Sequence, residues 1–193
     1  MKNFIKNGLV AVMILFNLNS MNAFAVNRIT VEINIGLDSI KSGSRITIKD
    51  SKNKIVFNEM VPNSIVEEDG YQLPNLGQGN YILEIEYDIE ILIKPFKVEE
   101  RSVVFLKDKA YTIYKPHLKV SDKQVHLTRL NLAKEEIVVK VYDQYGELLH
   151  KEKFTDQLEM KRIYDFSNLN EDKFSVILES NSRTFKNTIT FQH

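Results

Sequence analysis

Two stretches of this chain repeat each other at a fixed distance, and that repeat constrains the fold more than any single residue does. Arg45-Ile46-Thr47-Ile48-Lys49-Asp50 lies over Val138-Val139-Lys140-Val141-Tyr142-Asp143, an offset of 138 − 45 = 93 positions. Without a gap, Ile55-Val56 then lies over Leu148-Leu149, and Glu59 over Glu152. Tyr71-Gln72-Leu73-Pro74-Asn75-Leu76 matches Tyr164-Asp165-Phe166-Ser167-Asn168-Leu169, and Tyr81-Ile82-Leu83-Glu84-Ile85-Glu86 matches Phe174-Ser175-Val176-Ile177-Leu178-Glu179. Few residues are identical, but apolar classes and turn positions keep their register. Self-similarity at one period marks a duplicated structural unit.

The pattern inside each copy is that of β-strands. Ile29, Val31, Ile33 and Ile35 alternate with other residues, as do Tyr81, Leu83 and Ile85, then Ile89, Ile91 and Ile93. Val139 with Val141, and Phe174 with Val176 and Leu178, repeat that period of two in the second copy. Such alternation turns one strand face to a core and the other to water. Asp50-Ser51-Lys52-Asn53, Glu68-Asp69-Gly70, Gly77-Gln78-Gly79-Asn80 and Asp143-Gln144-Tyr145-Gly146 supply turn chemistry between the strands. Strands at this spacing predict an all-β sandwich in each copy. Only Leu130 to Glu136 has room for a short helical turn.

Before the first copy, Lys2 and Lys6 precede the apolar run Leu9 to Phe16, and Ala23-Phe24-Ala25 follows. This is the charged, apolar and small-x-small order of a secretory signal peptide, with cleavage expected between Ala25 and Val26. Eight apolar residues rise about 12 Å as a helix, against about 30 Å of hydrocarbon in a bilayer. The mature chain would hold 193 − 25 = 168 residues with 24 basic and 26 acidic groups, a net charge of −2. Near-neutral charge gives no electrostatic basis for nucleic-acid binding. With no Cys in the chain, neither a disulfide nor a lipid-bearing Cys is possible, so burial alone must hold the fold.

Val139 to Leu149, with its Asp143-Gln144-Tyr145-Gly146 turn, is followed by Tyr164 to Leu169 and by Phe174 to Leu178. This arrangement resembles the C-terminal sorting domain of the type IX secretion system of Bacteroidetes and related small exported modules. Leu73 to Tyr81 keeps the last part of that pattern in the first copy. Asp172 stands where the pattern has Gly, and the chain ends Thr188-Ile189-Thr190-Phe191-Gln192-His193 without basic terminal residues. The resemblance implies immunoglobulin-like folds. The expected organisation is a signal peptide over 1–25, one antiparallel β-sandwich over 26–112 and a second, tandem one over 113–193. Modules of this size are marginal alone, so a packed junction between them is expected.

The chain carries no metalloprotease, phosphate-loop, nucleophile-elbow or dinucleotide signature. His117, His126, His150 and His193 lack ligand spacing, although His117 and His126 can meet on neighbouring strands. Glu84, Glu86, Asp88 and Glu90 read as a solvated outer stripe, and Glu67-Glu68-Asp69-Gly70 lacks the alternating ligands of a calcium loop. No catalytic residue, metal or cofactor is therefore assigned. Tyr71, Tyr81 and Tyr164 fall at repeat-matched core or corner positions. Tyr87, Tyr142 and Tyr145 do not, which makes them the candidate contact surface. The expected protein is an exported, non-enzymatic binding or envelope-structural protein, periplasmic or at the cell surface, whose partner is a protein or envelope component. Two alternatives are a sorting role for the second module and self-association through sheet edges.

Overall fold

The computed structural model describes residues 31–35, 40–62, 71–181 and 183–191, with side chains omitted for 31–35 and 71–73. The fold is all-β and antiparallel, with a single 3-10 turn at Lys107–Lys109 among the described residues. In the first half the strands are β1 (Val31–Ile35), β2 (Arg45–Asp50), β3 (Ile55–Met60), β4 (Tyr71–Leu76), β5 (Gly79–Glu86), β6 (Glu90–Val98), β7 (Val103–Phe105) and β8 (Tyr111–Tyr114). In the second half they are β9 (His117–Ser121), β10 (Gln124–Leu130), β11 (Ile137–Tyr142), β12 (Leu148–Phe154), β13 (Glu159–Asp165), β14 (Lys173–Ser180) and β15 (Thr184–Thr190). None of the described residues form a helix long and apolar enough to cross a membrane.

Four sheets result. β1 pairs with β4, and the second sheet runs β3-β2-β5-β6-β7 with β8 also on β6. The others run β13-β10-β9 and β12-β11-β14-β15. Three ladders agree to the residue across the 93-position offset, β2-β3 with β11-β12, β2-β5 with β11-β14 and β5-β6 with β14-β15, whereas β1-β4 and β10-β13 pair in different registers. Arg45 faces Glu86 and Met60, as Val138 faces Glu179 and Lys153. Asn80 faces Lys97, as Lys173 faces Thr190. Even the register break repeats, at Ile48/Lys49 and at Val141/Tyr142.

The reason for the repeated break lies in the hairpin turn. Asp50 Oδ1 accepts from the N–H groups of Lys52 and Lys54, both at 2.9 Å. Asp143 Oδ1 accepts from those of Tyr145 and Glu147, at 2.9 and 2.8 Å. Each turn then needs a left-handed residue, supplied by Asn53 (φ 64°) and Gly146 (φ 86°), the two residue types that tolerate it best. An aspartate that satisfies two turn donors pins strand register, because a slip of one residue would turn every apolar side chain outward.

Each half has its own core. The first is built on Ile46, Ile48, Leu83, Ile85, Phe96 and Val98, with Tyr81 stacked on Phe96 at 5.5 Å between centroids. The second draws Val125 and Leu127 of β10 and Met160 of β13 together with Val139, Phe174, Val176 and Leu178 of the facing sheet. Two sheets thus share one core, in a sandwich-like arrangement. Phe166, Phe174 and Phe191 pack there at 4.5–5.9 Å.

Replacing Asp143 with Ala is expected to lower stability by about 1–3 kcal/mol in urea denaturation, the scale of two hydrogen bonds to a charged group. The more exposed Asp50→Ala should cost less. Equal, negligible losses at both would show that the turns follow the strands and do not pin them.

Candidate functional site

The two halves meet on the outer face of the first half's large sheet. Alternation along β5 sends Leu83 and Ile85 into the first core and leaves Ile82 and Glu84 on the opposite face. There Ile91 and Ile93 of β6 and Ile113 of β8 are buried, with Ile82 and Phe185 of β15 packed against them. Each isoleucine so buried contributes about 1.5–3 kcal/mol. Phe185 also packs on the second core, so one ring touches both.

Charge is placed on this apolar seam. Glu84 Oε1 lies 2.6 Å from Lys49 Nζ, and its Oε2 accepts from Arg183 Nη2 at 2.8 Å. Burial pushes the Glu84 carboxyl up, but hydrogen bonds and charge from Arg183 and Lys49 together hold it below its ordinary value. Lys115, on the connection between halves, pairs with Glu86 at 2.7 Å. Glu84 is therefore not part of a solvated stripe as the sequence pattern implied, whereas the Glu86 side chain stays 39% exposed. The second half covers Glu84, which leaves its side chain only 12% exposed.

Beside the seam lies a groove of about 640 Å³ lined by Tyr111, Thr112, Tyr114, Leu132, Ala133, Glu135 and Asn181. Its walls come from β8, from the β10–β11 loop and from the β14–β15 hairpin. Pairing of Ile93 with Tyr111 and of Glu90 with Tyr114 fixes β8. The loop is organised by the buried Asn131, whose Nδ2 donates to the carbonyls of Glu135 and Gln157 at 2.8 and 3.0 Å. Its Oδ1 accepts from the Glu135 N–H at 3.0 Å, so the Leu130–Glu136 stretch is an asparagine-held turn and no helix. Tyr111 is 54% exposed and Leu132 59%.

The floor continues into a recess of about 30 Å³ reached by Arg129. Arg129 is 4% exposed. Its Nε donates to the Tyr114 carbonyl at 3.0 Å, and its guanidinium lies 5.4 Å from the Phe185 ring centroid. Nη1 is buried with no hydrogen-bond partner. Burial pulls the group below its ordinary pKa, and the Glu135 carboxylate opposes that pull. The groove is open to solvent and walled by aromatic and apolar side chains with a few polar groups.

The tyrosines singled out from sequence lie elsewhere. Tyr87 is in the β5–β6 turn, packed partly on the first core, with Lys41 Nζ 5.7 Å from its ring centroid. It lines a separate hollow of about 520 Å³ with Lys41 and Ser44. Tyr142 ends β11, and Tyr145, 82% exposed, is in the β11–β12 turn. The structure thus divides these three between two hairpins. His117 and His126 are on paired strands, opposite Thr128 and Lys119 respectively. Among the described residues no three His, Asp or Glu groups are placed to hold a metal. Ala23, Ala25 and Val26 lie outside the described residues.

Sequence reasoning passed over Arg129, Tyr111, Tyr114 and Leu132. One signal was present. Val125, Leu127 and Arg129 occupy successive inward positions of β10, and an arginine where the period demands a core residue marks a buried charge.

Because Glu84 has a lowered native value, the unfolded chain binds the proton more readily. Its contribution is complete above the ordinary value of 4.5 and is lost as pH falls through the lower native value. Glu84→Gln should cost about 1–3 kcal/mol at neutral pH and flatten the acid limb of the stability curve. An unchanged acid limb in urea titrations would remove Glu84 from the junction's energetics. Compared with family models and with curated proteins, the chain matches none of either.

Proposed function

We propose that this protein is an exported, non-enzymatic binding or envelope-structural protein, built of two tandem immunoglobulin-like modules, with its binding site in the groove at their junction. The groove itself carries the reading. It exposes Tyr111 and Leu132 beside a buried arginine, side chains suited to contact with a protein or envelope component. The immunoglobulin-like assignment is supported by the three ladders that share their register between the halves and by Tyr81, whose hydroxyl donates to the Gly77 carbonyl at 3.0 Å. A tyrosine near the start of such a strand, bonded to backbone a few residues upstream, is a hallmark of these sandwiches. Export rests on the charged, apolar and small-x-small order of residues 1–25.

Two measurements in the native host test this. Mass spectrometry of the mature chain should find Val26 at its N-terminus, and a chain retaining residues 1–25 would sink export. A photo-crosslinking residue at position 111 of the full chain should form a discrete adduct, with none from the exposed position 104 on β7. Absence of an adduct at 111 removes the groove as a macromolecular site.

The second core's confinement to residues 118–191 favours one further reading, that 113–193 acts as a type IX sorting domain. Fused to a periplasmic reporter in a type IX host, these residues should then carry it to the cell surface. Retention in the periplasm would count against the role.

A further inference from the structure

We propose that the junction groove recognises a carboxylate carried on an apolar group, with Arg129 as the anion anchor. This deepens the binding function proposed above and rests on it. A guanidinium has five N–H donors and cannot shed its charge in a protein. Arg129 is nearly fully buried; its Nε donates to one backbone carbonyl, its guanidinium lies against the face of Phe185, and the Glu135 carboxylate is a nearby counter-charge. Its Nη1 is buried without a hydrogen-bond partner, and the side chain lines the recess that opens on the groove. A buried donor on a cation that makes no hydrogen bond costs more than a neutral one, so the position is poised for an acceptor from outside.

The surroundings select the acceptor. A recess of about 30 Å³ favours a small anionic head group. Glu135, which lines the same recess, would repel a dianion more strongly than a monoanion. Above the recess the walls are Tyr111, Tyr114, Leu132 and Ala133, which suit an aromatic or aliphatic body and give a sugar acid little to hydrogen-bond. A free small acid and the C-terminal residue of a peptide share this chemistry.

The test is calorimetric titration of the full mature chain with two acids and their amides. Phenylacetate against phenylacetamide represents the free acid. Acetyl-Ala-Ala-Phe with a free C-terminus, against its C-terminal amide, represents the chain end. At least one acid should bind ten-fold or more tightly than its amide, the factor expected for a hydrogen bond to a charged group. Binding of the peptide acid alone identifies a chain end, and binding of both identifies the shared head group.

Arg129→Gln should abolish the preference for acid over amide. If that variant fails to fold, Tyr111→Ala, at an exposed wall, should weaken acid and amide by the same factor in a folded protein. Equal affinity of acid and amide overturns the carboxylate assignment while keeping the groove as a binding site, with the recess holding water only. Binding of neither pair overturns the assignment outright, and cross-linking at position 111 then judges the groove separately. A ten-fold preference that survives in folded Arg129→Gln also overturns it.

Discussion

Glu84 stands between a lysine on the adjacent strand and an arginine ninety-nine residues further along the chain. Each ion pair in isolation would gain little over its desolvation cost. Here both oxygens are engaged, and the carboxylate sits on a seam of Ile82, Ile91, Ile93 and Ile113 closed by Phe185. The isoleucines supply the free energy and the charges supply direction, since only one placement of the second half brings Arg183 to Glu84. The groove depends on that placement. One wall, β8, is part of the first half's large sheet, and the other belongs to loops of the second half.

The two halves share a backbone plan but not a surface. Ile82, Ile91 and Ile93 have Ser175, Thr184 and Lys186 at their counterparts 93 positions later, and Thr184 and Lys186 are exposed. The first half therefore offers an apolar face where the second offers a polar one. Ile113 belongs to β8, which among the described residues pairs with β6. A face that is apolar in one copy and polar in the other makes the packing of the halves one-sided.

Much of the fold was legible because its signals are local. The period of two located Val139, Val141, Phe174, Val176 and Leu178, all of which are buried. The Asp50 and Asp143 turns were readable from residue type, and their side chains hold the hairpins. The site was less legible. The outward alternation of Glu84 and Glu86 is equally compatible with water and with a partner surface, and only the arrival of Arg183 and Lys115 distinguishes the two. Nothing near Tyr111 and Tyr114 in sequence reveals that the β10–β11 loop comes to rest beside them. Selecting Tyr87, Tyr142 and Tyr145 for falling outside the repeat favoured hairpin positions over the junction.

By itself the sequence determined the antiparallel strands, their registers and their turns, because alternation and turn chemistry act over a few residues and the repeat states them twice. Which outward faces become inward once the halves meet was set by tertiary packing alone. That outcome depends on side chains some ninety positions apart, Ile82 with Phe185 and Glu84 with Arg183. Local pattern cannot encode such a meeting, for an isoleucine on an outer face has the same periodicity whether water or a second sheet covers it.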